Sequence, residues 1–515
     1  MTGELLIGID MGTGSTKGVV TTADGRIVAT ASRKHGMELP RPGWAEVDAE
    51  TVWWGDLVEV ARELAGQIDV AAVTGMCVSG VGPCLLLTDD DLNPTRNGIL
   101  YGIDMRATQQ IEDLTERFGA EAIVERCGKA LSTQAVGPKI AWVRENEPEV
   151  WERSTRWFNS NSYVVAKLTG EYVIDHHTAS QSDPLYDVHA RDWADDWAAE
   201  VADGLQMPRL AWPHEVVGEL TAAAAEELGL AEGIPVSAGT VDAWAEAFSA
   251  GVRRPGDLML MYGSTMFFVQ VLEGFHAHPL LWTTNGVERD QYTLAAGMST
   301  SGSLTTWVQQ LTGDAPFEDL VAEASEVDPG ADGLVVLPYF AGERTPIFDA
   351  RARGVVAGLS LRHGRAHLFR AAYEGIACGI RQIVEFLDSE QDPIKRLVAV
   401  GGGTQGGLWT QIVSDVTGRP QDVPEQTIGA SYGDALLAAI GTGLVPPETD
   451  WARVGSTVEP RPQNREVYDK IYRVYTELYP ATKEQVHALS RLQEDAFGEA
   501  GQGDAPVPEV ESGRR

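Results

Sequence analysis

Short apolar runs separated by glycine turns open the chain. Leu5-Leu6-Ile7-Gly8-Ile9 reads as a strand, Gly12-Thr13-Gly14-Ser15 as a turn, and Lys17-Gly18-Val19-Val20-Thr21 as a second strand. Asp24-Gly25 is a hairpin signal, and Ile27-Val28-Ala29-Thr30 a third strand. In a dinucleotide fold or a P-loop the glycine turn opens a helix. Here it leads into β-branched residues and another hairpin. A similar unit opens the second half: Leu258-Met259-Leu260-Met261-Tyr262, the turn Gly263-Ser264-Thr265, then Met266-Phe267-Phe268-Val269. Two such hairpins predict a duplicated architecture with a cleft between the halves. Helical periods occur elsewhere. Phe369, Ala372, Tyr373, Ile376, Ile380, Ile383 and Leu387 recur at three- and four-residue steps, as do Tyr468, Ile471, Tyr475 and Leu478. Strand and helix patterns mixed through both halves predict an α/β fold. The expected division is residues 1–250, residues 251–490 and a disordered tail over 491–515, rich in Gly, Pro, Glu, Asp and Ser.

Composition narrows the function. The chain has 515 residues, 43% of them hydrophobic, which rules out disorder throughout. A formal net charge of -35 argues against binding nucleic acid or an anionic membrane surface. A small anionic ligand needs only a local nest of donors and stays open. No apolar stretch is long enough for a membrane span, and MTGELLIGID carries no basic leader, so a cytoplasmic location is expected. Cys77, Cys84, Cys127 and Cys378 form no C-x-x-C pair and read as buried reduced thiols.

Three segments carry chemistry. In Asp10-Met11-Gly12-Thr13-Gly14-Ser15-Thr16-Lys17 the glycines let backbone N–H groups approach an anion, and Thr13, Ser15 and Lys17 add donors and charge. Asp10, at a strand end, is placed to hold a hydrated Mg²⁺. In Ser237-Ala238-Gly239-Thr240-Val241-Asp242, the aspartate begins a helical stretch. It reads either as an N-cap or as a cleft carboxylate able to take a proton from an attacking hydroxyl. In Gly401-Gly402-Gly403-Thr404 no side chain separates the backbone from what lies on it. A flat adenine would fit there, and so would a plain surface loop.

Together these segments resemble the FGGY carbohydrate kinases, of the actin, sugar-kinase and Hsp70 ATPase fold. Gly354-Val355-Val356-Ala357-Gly358-Leu359, then His367-Leu368-Phe369-Arg370-Ala371-Ala372-Tyr373-Glu374, matches the family's second signature. Leu337-Pro338-Tyr339-Phe340-Ala341-Gly342-Glu343-Arg344-Thr345-Pro346 resembles the segment that xylulokinases carry before it, and Pro40–Asp48 resembles the family's early tryptophan segment. Pro138-Lys139 with Trp142 is similar to the first signature, from which Val136 departs.

The resemblance implies two ribonuclease H-like domains facing a cleft. It also implies ATP and Mg²⁺ as cofactors, a small sugar or polyol as acceptor, and a homodimer. Asp10 would sit by the metal. Thr13, Ser15, Lys17, Gly263, Ser264 and Thr265 would line the phosphates, and Gly12 would form the turn beneath them. Gly402, Gly403 and Thr404 would border adenosine, and Asp242 would be the base. Trp44 and Asp104 would hold the sugar. Glycerol kinases carry Arg-Glu and xylulokinases Met-His where this chain has Gly80-Val81. The expected reaction is phosphorylation of a primary hydroxyl, with a ketopentose as the leading acceptor and xylulose as the alternative. The rival readings are an actin-fold ATPase without a small acceptor and a non-catalytic sugar sensor.

Overall fold

The computed structural model describes residues 4–390 and 392–500. The first sheet has six strands: β1 (Leu5–Met11), β2 (Ser15–Thr22), β3 (Ile27–Lys34), β4 (Val73–Gly80), β5 (Val216–Glu219) and β6 (Pro235–Ser237), in the order β5-β6-β4-β1-β2-β3. β1, β2 and β3 form an antiparallel meander, β4 runs parallel to β1, and β6 parallel to β4. All seven residues of β1 are buried, which is why it reads as a nearly continuous apolar run rather than an alternating one.

The second sheet repeats this plan. Its strands are β7 (Asp257–Tyr262), β8 (Met266–Leu272), β9 (Trp282–Asn285), β10 (Tyr292–Met298), β11 (Arg396–Val400), β12 (Gln421–Pro424) and β13 (Val454–Val458). Their order is β9-β10-β8-β7-β11-β12-β13. Again three antiparallel strands, β10, β8 and β7, are followed by parallel β11 and β12. The duplication expected from the two hairpins is present, with β5, β9 and β13 as additional edge strands.

Five helices matter for the site. α1 (Asp56–Ala65) covers the first sheet; α3 (Arg365–Glu390) and α5 (Arg465–Ala500) cover the second. α2 (Asp242–Ser249) and α4 (Ala430–Gly441) lie between the sheets in a separate apolar cluster with Leu6, Val19, Met259, Val269 and Val398. Tight packing there depends on glycine. A Cβ at Gly8 would stand 2.0 Å from the Ser431 carbonyl oxygen, and one at Gly433 would stand 2.1 Å from that of Ala245. α4 belongs in sequence to the second half, yet it packs on β1 of the first.

The terminal helix α5 continues to Ala500, past the tail boundary expected at 491, and its buried face runs through Val486 and Ser490. The rest of that expected tail, 501–515, lies outside the described residues. All four cysteines are free and buried. No helix among the described residues is long and apolar enough to cross a membrane.

Candidate active site

The tips of both hairpins face one cavity of about 230 Å³, which Thr13 and Thr265 line from opposite sides. Asp242 at the start of α2 lies in the same wall with Val81, Gly82 and Tyr101. The second sheet adds Met261, Phe267 and Trp282, and the segment between β10 and β11 adds Arg344. The space is below the roughly 300–1,000 Å³ of pockets for drug-sized ligands and suits one small polyol.

Each tip is held through its carbonyl oxygens. In the first, Gly12 N–H donates to Ser15 O (3.1 Å), His35 N–H to Gly14 O (3.2 Å), and the His35 ring nitrogen Nε2 lies 2.9 Å from Gly12 O. In the second, Gly302 N–H donates to Gly263 O (2.9 Å), while Ser301 and Ser303 N–H donate to Ser264 O (3.0 and 3.1 Å). Among the described residues the N–H groups of Thr13, Gly14, Ser264 and Thr265 have no partner. They are free for an anion, because an N–H left without an acceptor is costly unless water or a ligand meets it.

The third glycine segment forms a short 3₁₀ turn, Gly402–Thr404, at the end of β11 beside the second tip. Gly401 takes a positive φ of 89°, and a Cβ there would meet Tyr262 O at 2.7 Å. Gly402 has nothing within 4 Å of where a Cβ would stand, so its face is open.

Behind the first tip lies a group of carboxyls. β1 delivers Asp10, which pairs across the hairpin with Lys17 of β2. Burial, and then the Asp242 charge, push the Asp10 carboxyl well above its ordinary range, while Lys17 opposes them. Burial raises Asp242 to about 7, and Glu246 adds to it from one helical turn on. Glu246 is itself raised by burial, against the pull of Lys17. Asp242 is not an N-cap: it is the first residue of α2, and its Oδ1 accepts only the adjacent Ala243 N–H (2.7 Å). A fourth carboxyl, Asp434 of α4, accepts from Ser79 Oγ at 2.6 Å and is raised well above the usual range, chiefly by burial.

Among the described residues no three acidic, His or Cys side chains converge to chelate a metal by themselves. Asp10 Oδ1 is nevertheless buried without a hydrogen-bond partner, beside like charges. That fits a hydrated divalent cation, which needs one or two carboxylates plus phosphate oxygens.

Two expected sugar-binding side chains are not in the cavity wall. Both oxygens of Asp104 are occupied: Oδ2 by Ala45 N–H and Arg106 Nη2 (2.7 Å each), Oδ1 by Arg106 N–H and Nε (3.1 and 2.9 Å). Arg106 in turn pairs with Glu46 at 2.7 Å. Trp44 is covered by the guanidinium of Arg106, 4.0 Å from its ring centroid, and that of Arg41, 4.6 Å away; its ring also meets Trp142 edge to face. Gly80 lies behind the wall, where a Cβ would meet Ser160 Oγ at 2.4 Å, while Val81 reaches the cavity.

Residues that sequence reasoning did not assign a role fill the remaining wall. Tyr101 stands 3.3 Å from the Thr13 hydroxyl. Gln134, Gln181, Trp244 and Arg344 complete it. Some signals were available. Glu246 follows Asp242 by four residues on one helix, and Asp434 is the lone charge in the small, apolar run ASYGDALLAAIG.

Comparison with known proteins supplies the family. Residues 5–249 match the N-terminal domain of the FGGY family of carbohydrate kinases, and residues 258–442 its C-terminal domain. The chain is 27% identical to the xylulose kinase of Bacillus subtilis over 96% of its own length and 100% of that protein's. It is 29% identical to the Escherichia coli xylulose kinase, over 85% of this chain and 90% of the other. The crystal structure of xylulose kinase from Rhodospirillum rubrum superposes with a TM-score of 0.85 at 32% identity, covering 94% of this chain and all of that one. With both halves of the fold and 90% or more of each of these relatives' length matched, the chain belongs to the FGGY family of carbohydrate kinases, enzymes that phosphorylate sugars with ATP and a metal ion.

Proposed function

We propose that the protein transfers the γ-phosphoryl group of Mg-ATP to a primary hydroxyl of a ketopentose or closely related polyol, with Asp242 as general base. The observation that carries this reading is the position of the Asp242 carboxylate in the one cavity that the tips of both hairpins share. Phosphoryl transfer needs in-line positioning, charge neutralisation and a base rather than covalent help from the protein.

The chain's own groups divide that work. The free N–H groups of Thr13, Gly14, Ser264 and Thr265, with the Ser15 hydroxyl, receive phosphate oxygens from both sides. Lys17 balances charge next to them. Gly402, Gly403 and Thr404 offer an open backbone face for adenosine. Asp10 would hold Mg²⁺, which when bound supplies further positive charge at the β- and γ-phosphates. Asp242 accepts the proton of the acceptor hydroxyl. Its carboxyl, raised by burial to about 7, is basic enough to do so near neutral pH and acidic enough to be ionised there. Closure of the two halves would exclude water and limit ATP hydrolysis.

Xylulose is the acceptor that the names of the relatives suggest. The Gly80-Val81 pair bears on that choice, because it brings no polar side chain to the wall; Gln134, Gln181, Tyr101 and Arg344 supply the polar groups. ATP turnover with and without ketopentoses, pentitols and pentonic acids tests the reading. Stimulation by one of these acceptors, with one phosphoryl transferred per ADP formed, is expected. ATP turnover indifferent to all of them would reject it.

A further inference from the structure

Buried hydrogen bonding fixes the orientation of two glutamine amides in the cavity wall. The Asn285 carbonyl of β9 can only accept, and His177 Nδ1 lies 2.7 Å from it, so Nδ1 carries the proton. His177 is fully enclosed, and burial lowers its pKa to about 3, so the ring is neutral and Nε2 presents a bare lone pair. The Gln181 side chain stands 2.6 Å from that nitrogen and must give it an N–H. The outward end of the amide is then Oε1, which has no partner among the described residues. Gln134 is set the opposite way. Gly102 N–H donates to its Oε1 at 3.1 Å, which leaves its NH₂ end as a donor. Arg344 is a second donor: its Nη2 is bound to Met298 O at 2.6 Å, which leaves Nη1 without a protein partner among the described residues. The wall therefore offers acceptors at Asp242 and Gln181, and donors at Gln134 and Arg344.

We propose that Gln181 is a specificity-determining residue, held by His177 so that its Oε1 accepts a hydrogen bond from a second hydroxyl of the acceptor sugar. His177 is the positioning residue. The donors at Gln134 and Arg344 take a carbonyl or other proton-free oxygen. The substrate class that fits is a polyhydroxy compound with a stereochemically defined hydroxyl facing Gln181 and an acceptor oxygen facing Arg344. This rests on the kinase reading above and adds a selectivity to it.

The test uses the full chain and D-xylulose, L-xylulose, D-ribulose and L-ribulose with the corresponding pentitols and pentonic acids. The measured quantity is the kcat/KM ratio between the best acceptor and its single-carbon epimers. In Gln181→Leu and Gln181→Met that ratio should fall about tenfold or more for one epimer pair, with KM for ATP unchanged. His177→Phe, which removes the lone pair, should move the same ratio in the same direction. A packing role alone would lower turnover of all epimers alike, and an unchanged ratio in both Gln181 variants overturns the proposal while leaving the kinase reading intact. No stimulation of the wild type by any compound of the panel rejects both.

Discussion

The two hairpins share one fold and differ in charge. Both place a glycine and hydroxyl turn between antiparallel strands, both lie beside a parallel strand, and both have their tip carbonyls tied down by neighbouring backbone. The first carries Asp10 opposite Lys17; at the matching place the second pairs Met261 with Phe267. Asp10, Asp242, Glu246 and Asp434 cluster behind the first tip; the second tip carries no carboxyl of its own, although Glu343, buried and raised to about 7, stands beside Arg344 on that side. On the function proposed above, the duplicated backbone would clamp an anion from both sides, and the base and the metal-holding carboxylate would come from one side only.

Asp242→Asn should cut turnover by about two orders of magnitude or more, with nucleotide affinity by calorimetry nearly unchanged. Near-normal sugar turnover in that variant would remove the base from the first side. Lys17→Ala should raise KM for ATP about 10–100-fold and leave acceptor binding intact, as expected for loss of a charged partner. If acceptor binding fails while ATP binding survives, the first tip does not hold phosphate. Third, burial raises Asp242, so its reactive anion is lost as pH falls through about 7. Log kcat/KM should decline with unit slope below that point, roughly tenfold per pH unit, and the break should vanish in the residual activity of Asp242→Asn. Thr265→Val, on the neutral side, should weaken ATP only about fivefold, the worth of one uncharged hydrogen bond. Equal effects from the Lys17 and Thr265 variants would erase the asymmetry. Last, Asp104→Asn should shift acceptor KM by less than about twofold in protein that stays folded, because Arg106 and the Ala45 N–H already occupy that carboxylate.

Much of the frame was legible in the sequence because the patterns that carry it are local. The strand-turn-strand runs at 5–22 and 258–269 and the periodic stripes of α3 and α5 all stand in the structure. The Asp242 strand-to-helix junction was equally visible. What stayed hidden depends on distant partners. Asp104 is expected to meet sugar hydroxyls, and the fold adds that its carboxylate is held between Arg106 and the distant Ala45 backbone. Trp44 has the composition of a sugar platform, but two guanidinium groups cover its ring. Gln181 is an ordinary polar residue until β9, about a hundred residues later, fixes the tautomer of His177. Asp434 lies far along the chain from Ser79, and no spacing rule joins them.

The crossing of α4 onto β1 has a consequence during synthesis. The opening sheet can emerge from the ribosome long before residues 430–441 exist, so Leu6 and the groove over Gly8 remain uncovered through the intervening translation. At about 5–20 residues per second that wait lasts tens of seconds, during which a bare apolar strand is open to wrong partners. A nascent chain halted shortly before Ala430 should therefore recruit chaperones more strongly than one halted after Gly441, and the amino-terminal half expressed alone should be prone to aggregate.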